Sequence, residues 1–249
     1  MGETASGGRR RDLMPGAGRP PLGGCGPAQL DCGVRRLLRD NGLSLVVFSL
    51  FLATFGLGQL LTGWKAYNEE RGQNREAALA LGDYLASAHF AEATAENWES
   101  EFLQMGVYVL LTAVLFQRGS AESDDPDKPP RREVVTEASP WPARRGGWWG
   151  RLYGHSLSLA FLTLFLLSFA WHARGSLGRE NEERARHGEP PATLASHLAG
   201  AQFWFESFQN WQSEFLAIGS MVVLSIWLRE RNSPESKPVG APHAATGVG

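Results

Sequence analysis

The sequence is poor in the residues that build disulfide frameworks and metal centres. Its 249 residues include two cysteines, Cys25 and Cys32, and their spacing is not that of a zinc or redox motif. We interpret them as free thiols, with a disulfide or metal site as the alternative. The six histidines show no ligand spacing, and the sequence has no glycine-rich phosphate loop, nucleophile elbow or HExxH motif. We therefore predict no cofactor and no metal, and expect the protein not to be an enzyme.

A strong charge of one sign is also missing. The formal net charge is -2, which gives no bulk attraction to nucleic acid, and we expect no nucleic-acid partner. The basic run Arg9–Arg11 is interpreted as an orientation signal in contact with anionic lipid. What the sequence does have is apolar residues gathered into four blocks. These predict the lipid bilayer as the partner.

Two of the apolar blocks are long enough to cross a bilayer, which takes roughly 17–25 mostly apolar residues. Leu43–Trp64 contains no charged side chain, and Tyr153–Ala173 contains only His155 and His172 near its ends. We predict transmembrane helices at about 43–64 and 153–173. The first block is too long for the apolar core of a signal peptide.

The other two blocks are shorter. Phe102–Phe116 and Phe215–Leu228 reach a spanning length only if their helices start at Trp98 and Trp211. We predict spans at about 98–116 and 211–228, which makes the chain an all-α integral membrane protein with four transmembrane helices. A buried helix in a soluble domain is the alternative for these two blocks.

The basic residues predict the orientation, because Lys and Arg favour the cytoplasmic side. With both termini inside, the inner segments carry 17 of the 24 Lys and Arg residues and the outer loops carry seven. We therefore expect a multi-pass protein of the bacterial inner (cytoplasmic) membrane with both termini cytoplasmic. Amphipathic helices are expected in the outer loops, at 77–96 and 194–209, lying on the outer leaflet.

An internal repeat organises the chain. The run 97–103 (NWESEFL) matches 210–216 (NWQSEFL) at six of seven positions, and the run 68–71 (NEER) recurs at 181–184 with the same offset. We predict two parallel two-helix units at 36–117 and 151–231. Around them we predict three disordered cytoplasmic segments: a basic N-terminal segment at 1–35, a linker at 118–150 and a tail at 232–249.

The repeated motif supplies the candidate functional residues: Asn97, Trp98, Ser100, Glu101, Asn210, Trp211, Ser213 and Glu214. Each glutamate follows its asparagine by four positions, so the two share a helix face. Paired carboxylates at the mouth of a helix bundle could bind a cation or relay a proton. The alternative is a polar belt in which each glutamate favours the positive end of its helix dipole.

The motif and its flanks, 64–70 (WKAYNEE) and 116–123 (FQRGSAES), resemble a family of small bacterial membrane proteins of unknown function. The resemblance covers roughly 36–127 and again 151–238. It implies no activity, substrate or cofactor. The second unit departs from the first because Gln212 stands in the place of Glu99. A function at Glu99 would therefore belong to one unit only.

Three classes of function remain open. The absence of charges in the middle of the predicted spans favours a non-enzymatic membrane component, either a scaffold or a sensor of the envelope. The duplicated units and paired glutamates favour a small cation or proton transporter or channel. An enzyme is supported only by the two acidic residues. A homo-oligomer or another membrane protein is a possible partner.

Overall fold

The structure is a computed structural model that describes residues 27–129 and 134–247. Within these residues it is all-helical, with no β-strand, which confirms the all-α expectation. The chain divides into two compact units, with a boundary between Thr54 and Phe55. Cys25, the Arg9–Arg11 run and most of the predicted N-terminal segment lie outside the described residues.

The first unit is built on helix α1, Pro27–Ala53. The helix is kinked at Asn41, whose φ of -129° and ψ of 16° are not helical. Asn41 precedes Gly42, and both residue types are weak helix formers, which explains a break at this point. The predicted disordered segment 1–35 therefore overlaps the start of a helix.

The second unit begins within a π-helical segment, Thr54–Thr62. It continues through α2 (Gly63–Gln73), α3 (Leu81–Leu85) and α4 (Ala88–Thr112). Two short helices, α5 (Trp141–Arg145) and α6 (Gly147–Gly154), precede the long α7 (Ser156–Arg186). Helices α8 (Leu194–Ala199) and α9 (Ala201–Leu224) complete it.

Two helical stretches are long and apolar enough to cross a membrane, Leu37–Gln73 and Ser156–Arg186. The first combines most of α1, the π-helical segment and α2, and the second is α7. The most apolar window of the first has no buried residue, and only 17% of the corresponding window of the second is buried. The core helix of a soluble protein would have most of its apolar side chains buried. Such exposure of apolar side chains therefore favours contact with lipid.

The expectation of four such helices is corrected to two. Helices α4 and α9 are long enough, but their apolar parts begin only after Glu101 and Glu214 and end with the helices at Thr112 and Leu224. At about 1.5 Å per residue, each apolar part covers roughly half of the ~30 Å hydrocarbon core. The apolar parts are shorter than predicted because α4 ends at Thr112 and α9 at Leu224, whereas the predicted spans run to about 116 and 228.

The core of the second unit is aromatic. Tyr67, Tyr84 and Phe90 are buried against one another, with Phe55 and Trp171 packed around them. Tyr84 and Phe90 come from the stretch that the sequence predicts to lie on the outer leaflet. The structure places them inside the protein, since α4 runs without interruption from Ala88 into the motif and carries Phe90 into the core.

Two asparagines at matched positions of the predicted repeat make the same clamp on a following loop. Asn68 donates to the Leu79 carbonyl at 3.0 Å and accepts from the Leu79 amide at 2.8 Å. Asn181 donates to the Ala192 carbonyl at 3.3 Å and accepts from the Ala192 amide at 2.6 Å. The clamped loops lead into α3 and α8. The duplication itself stays a prediction from the sequence.

The predicted linker and tail contact each other in the structure. Ser120 and Ala121 bond to the Ser225 hydroxyl at 2.9 and 3.1 Å. The ammonium group of Lys237 is buried and donates to three backbone carbonyls, those of Gly119, His243 and Ala245. Residues from both segments are therefore held together at the C-terminal end of α9. Helices α5 and α6 also fall within or next to the predicted linker.

Candidate functional site

The first copy of the motif lies on α4, and its residues differ in exposure. Asn97 is exposed and donates to the Ala93 carbonyl of its own helix at 2.7 Å. Ser100 is buried and donates to the Asn97 carbonyl at 2.9 Å. Trp98 stacks at a tilt 6.0 Å from the Phe55 ring, and Glu101 is exposed. The contacts named here are local or aromatic.

The second copy lies on α9, and two of its side chains contact α4. The Asn210 side chain donates to Glu96, and the Trp211 indole donates to Glu99 at 2.9 Å. Ser213 donates to the Asn210 carbonyl of its own helix at 2.7 Å. Glu214 is half-buried and close enough to Glu101 for the two charges to interact. In the described part of the chain, no hydrogen bond joins these two carboxylates.

The centre of the site is a histidine between two carboxylates. His172 of α7 is fully buried, and its Nδ1 lies 2.8 Å from an oxygen of Glu99, which is also fully buried. Its Nε2 lies 3.8 Å from an oxygen of Glu206 on α9. Glu206 also accepts from Ser176 at 2.9 Å and from Gln202 at 2.9 Å. We call Glu99, His172 and Glu206 the buried triad.

Helical spacing and small residues bring these groups together. On α4 the acids Glu92, Glu96 and Glu99 are spaced by four and three positions, which places them on one face. This face packs against α7 at Gly175 and Gly178. A Cβ added to Gly175 would lie 2.4 Å from the Glu92 amide nitrogen, and one added to Gly178 would lie 2.6 Å from the Ala88 Cβ. Only glycine permits this approach of the two helices.

Two further acids surround the triad and raise the negative charge of the site. Burial and, next, the charge of Glu206 raise the pKa of Glu92 to about 7, against the opposing effect of Arg179. Burial also raises the pKa of Glu96, with His172 acting against it. Burial would raise the pKa of Glu206, but the His172 ring and hydrogen bonds from Gln202 and Ser176 hold it below its ordinary value.

Arg179 connects Glu92, one of the acids beside the triad, to the loops. Its guanidinium lies 3.4 Å from Glu92, 3.3 Å from Glu70 and 5.4 Å above the Tyr67 ring. The Tyr67 hydroxyl in turn donates to Glu182 at 3.0 Å. A partly buried network of charges thus extends from the buried triad toward the ends of α2 and α7.

The sequence prediction named only part of this site. It singled out Trp211 and Asn210, which contact Glu99 and Glu96, but it paired Glu101 with Glu214 instead of Glu99 with Glu206. The signal that could have found the triad is spacing. Acids separated by four and three positions on α4 face a matching series, His172, Ser176 and Arg179, on α7.

The arrangement suits protons better than metals. A fully buried carboxylate needs partners for its charge, and Glu99 has the imidazole of His172 and the indole of Trp211. An imidazole between two carboxylates can hold a proton on either nitrogen or on both. Within residues 27–129 and 134–247, no group of three His, Cys, Asp or Glu side chains is placed to hold a metal ion.

Comparison with known proteins gives a family without an assigned activity. The family model matches residues 34–248 in one stretch that includes both predicted units. No curated protein and no solved structure matches the chain. The bacterial origin, the motif as a family signature and the tandem units stay predictions. The match covers most of the sequence, so the chain belongs to the family described as a domain of unknown function, DUF6766.

Proposed function

We propose that the protein is a non-enzymatic membrane component that senses protons through the buried triad. The observation that carries the proposal is the position of His172, fully buried with a carboxylate facing each of its ring nitrogens. The imidazole is a side chain that can gain or lose a proton as the charges around it change. A charge change at this position alters the contacts of α7 with both α4 and α9.

The neighbours of the triad support a coupling between protonation and helix packing. Trp211 and Asn210 on α9 donate to Glu99 and Glu96 on α4. Protonation of either acid weakens these bonds, because a neutral carboxyl group is a poorer acceptor than a carboxylate. Proton binding therefore changes how strongly α9 is held against α4, which is the two-state element that a sensor requires.

Hydrogen exchange tests the sensor. The full chain in detergent is compared at pH 5 and pH 8, with exchange rates corrected for their intrinsic pH dependence. We expect peptides from 201–224 to change protection in the native protein and in Gln212→Glu, which alters the exposed position matched to Glu99. The change should be smaller in Glu99→Gln, which keeps Glu96 as the acceptor of the Asn210 side chain. An unchanged pH response in Glu99→Gln would overturn the proposal.

Proton or cation transport is a second candidate, favoured by one observation. A cavity of about 650 Å³ reaches Glu92, Ser176 and Glu206, so the triad is next to a space large enough for water and ions. The test is proton flux into liposomes that contain the purified protein. Flux that is lost in Glu206→Gln and kept in a Glu101→Gln, Glu214→Gln double variant supports transport at the triad. An absence of flux in the native protein excludes this candidate.

A further inference from the structure

A second cavity, of about 300 Å³, lies between α4 and α7 and is apolar. Its lining is mostly aliphatic and aromatic, and only His155 and Ser158 add polar side chains to it. On α7 it lies within a stretch that is long and apolar enough to cross a membrane. An apolar cavity offers water no hydrogen-bond partners, so hydrocarbon is the filling that suits it.

The cavity has the length of an acyl chain in one leaflet. Its lining on the α7 side extends from His155, the residue before the helix, to Phe165. These positions are ten residues apart, which is roughly 15 Å of helix, or half of a ~30 Å hydrocarbon core. The two helices run antiparallel, since Ala88 of α4 meets Gly178 of α7. Leu110 therefore lies at the His155 end, which in a bilayer is at headgroup depth.

Arginines without acidic partners lie at this end of the cavity. Arg151 is one helical turn from His155, whose amide donates to the Arg151 carbonyl at 3.3 Å. Arg144 and Arg145 are in the last turn of α5, which packs against α6. The sequence has no Asp or Glu from 138 to 179, and no described carboxylate pairs with these three arginines. Anionic lipid headgroups attract basic segments of this kind at a membrane surface.

Exposed aromatic side chains surround the arginines. The group consists of Trp141, Trp148, Trp149 and Tyr153. The Trp141 ring lies 5.6 Å from the Trp149 ring and 5.4 Å from the Arg145 guanidinium above it. Tryptophan and tyrosine are enriched at the boundary between hydrocarbon and water. Both the aromatic and the basic residues of α5 and α6 therefore favour headgroup depth for the mouth of the cavity.

We propose that the protein binds one anionic phospholipid from the bilayer, with an acyl chain in the cavity between α4 and α7 and its phosphate on Arg144, Arg145 and Arg151. The cavity requires hydrocarbon and the arginines require an anion, and a phospholipid joins the two at the depth where they meet. A free phosphate would leave the cavity unfilled. The site rests on the membrane placement in the proposed function, but not on the proton-binding triad.

Native mass spectrometry of the delipidated full chain in detergent tests the site. Dioleoyl phosphatidylglycerol is compared with dioleoyl phosphatidylcholine, which has the same chains without net charge, and with glycerol 3-phosphate, which has the phosphate without chains. We expect the first phosphatidylglycerol to bind at least about tenfold more tightly than phosphatidylcholine, and glycerol 3-phosphate not to bind. Equal affinity for the two lipids, saturable binding of glycerol 3-phosphate, or a protein dimer in place of a lipid adduct would overturn the proposal.

Two pairs of variants test the two halves of the site. Arg151→Gln should weaken phosphatidylglycerol binding about fivefold, whereas Arg174→Gln, the same change at an exposed position far along α7, should not. Ser158→Phe fills the cavity and should weaken the binding of both lipids severalfold. Leu157→Phe adds the same ring to an exposed neighbour that does not line the cavity and should bind as the native protein does. Native affinity in either Arg151→Gln or Ser158→Phe would overturn the proposal.

The lipid site and the proton sensor can fail separately. Glu99 does not line this cavity, so Glu99→Gln should keep its affinity for phosphatidylglycerol while its pH response becomes smaller. Thermal unfolding in detergent checks that each variant is folded. A native protein that responds to pH without any preference for phosphatidylglycerol would overturn the lipid site and leave the sensor in place.

Discussion

Helices α4 and α9 begin at matched positions of the predicted repeat, Ala88 and Ala201, but carry different side chains toward their neighbours. Where α4 has three acids, α9 has one aromatic and two amide side chains at the matched positions. The matched residues are Glu92 and Phe205, Glu96 and Gln209, and Glu99 and Gln212. Similar helices therefore do not imply similar sites in the two units.

The same asymmetry holds for the other members of the triad. His172 corresponds to Gly58 of the first predicted two-helix unit, and Glu206 corresponds to Ala93. The first predicted two-helix unit supplies Glu99 and the second supplies His172 and Glu206, so neither of the two could form the triad alone. The predicted duplication would allow this division, because one copy can keep the packing role while the other gains charged residues.

The largest effect is expected for a substitution of Glu99, where the two predicted two-helix units differ most in the proposed function. Glu99→Ala leaves His172 without its closest carboxylate and the Trp211 indole without its acceptor. Removal of one partner of a buried ion pair costs about 3–5 kcal/mol. The matched change Gln212→Ala is at an exposed position and should cost within about 0.5 kcal/mol. Thermal unfolding of both variants in detergent measures the difference, and equal losses would contradict the asymmetry.

A second, smaller effect depends on pH. The pKa of Glu92 rises from an ordinary 4.5 to about 7 in the folded protein. The folded state therefore holds a proton that the unfolded state releases between these two values. The free energy of unfolding then falls as the pH rises from about 4.5 to about 7, by at most about 3 kcal/mol from this group.

Glu92→Gln isolates that contribution, since the amide does not titrate. We expect the variant to lose less stability than the native protein between pH 5 and pH 8, as measured by thermal unfolding. The variant also loses the ion pair with Arg179, and this lowers its free energy of unfolding at high pH. The loss is limited because Arg179 keeps Glu70 and Glu182 as partners. Phe205→Tyr, at the matched and exposed position, should leave the pH profile unchanged. An identical profile in native protein and Glu92→Gln would contradict the assignment.

The asparagine clamps are a feature that the two predicted two-helix units share, and they test that similarity. Asn68→Ala and Asn181→Ala each remove two hydrogen bonds to a loop backbone. Each substitution should lower the free energy of unfolding by about 1–2 kcal/mol. The two losses should be similar, since the geometry is the same in both predicted two-helix units. Urea or thermal unfolding gives the two values. A large cost for one and none for the other would show that the clamps are not equivalent.

The sequence alone predicts the helical class, the two long apolar helices and the repeated motif, because these depend on periodicity and composition within a segment. It mispredicts the number of spans, since the apolar parts of α4 and α9 are too short. It also misses the triad. Glu99, His172 and Glu206 are far apart in the chain, and their contact depends on the close approach of α4 and α7 at Gly175 and Gly178.

The smallest effect is expected for the pair that the sequence makes most conspicuous. Glu101 is exposed and Glu214 half-buried, and in the described structure neither donates to nor accepts from the triad. Glu101→Gln and Glu214→Gln should each change the free energy of unfolding by within about 0.5 kcal/mol. Both should keep the native response of 201–224 to pH, as followed by hydrogen exchange. If the double variant instead lost that response while Glu99→Gln kept it, the symmetric pair would be the proton-binding site and the buried triad would only hold the helices together.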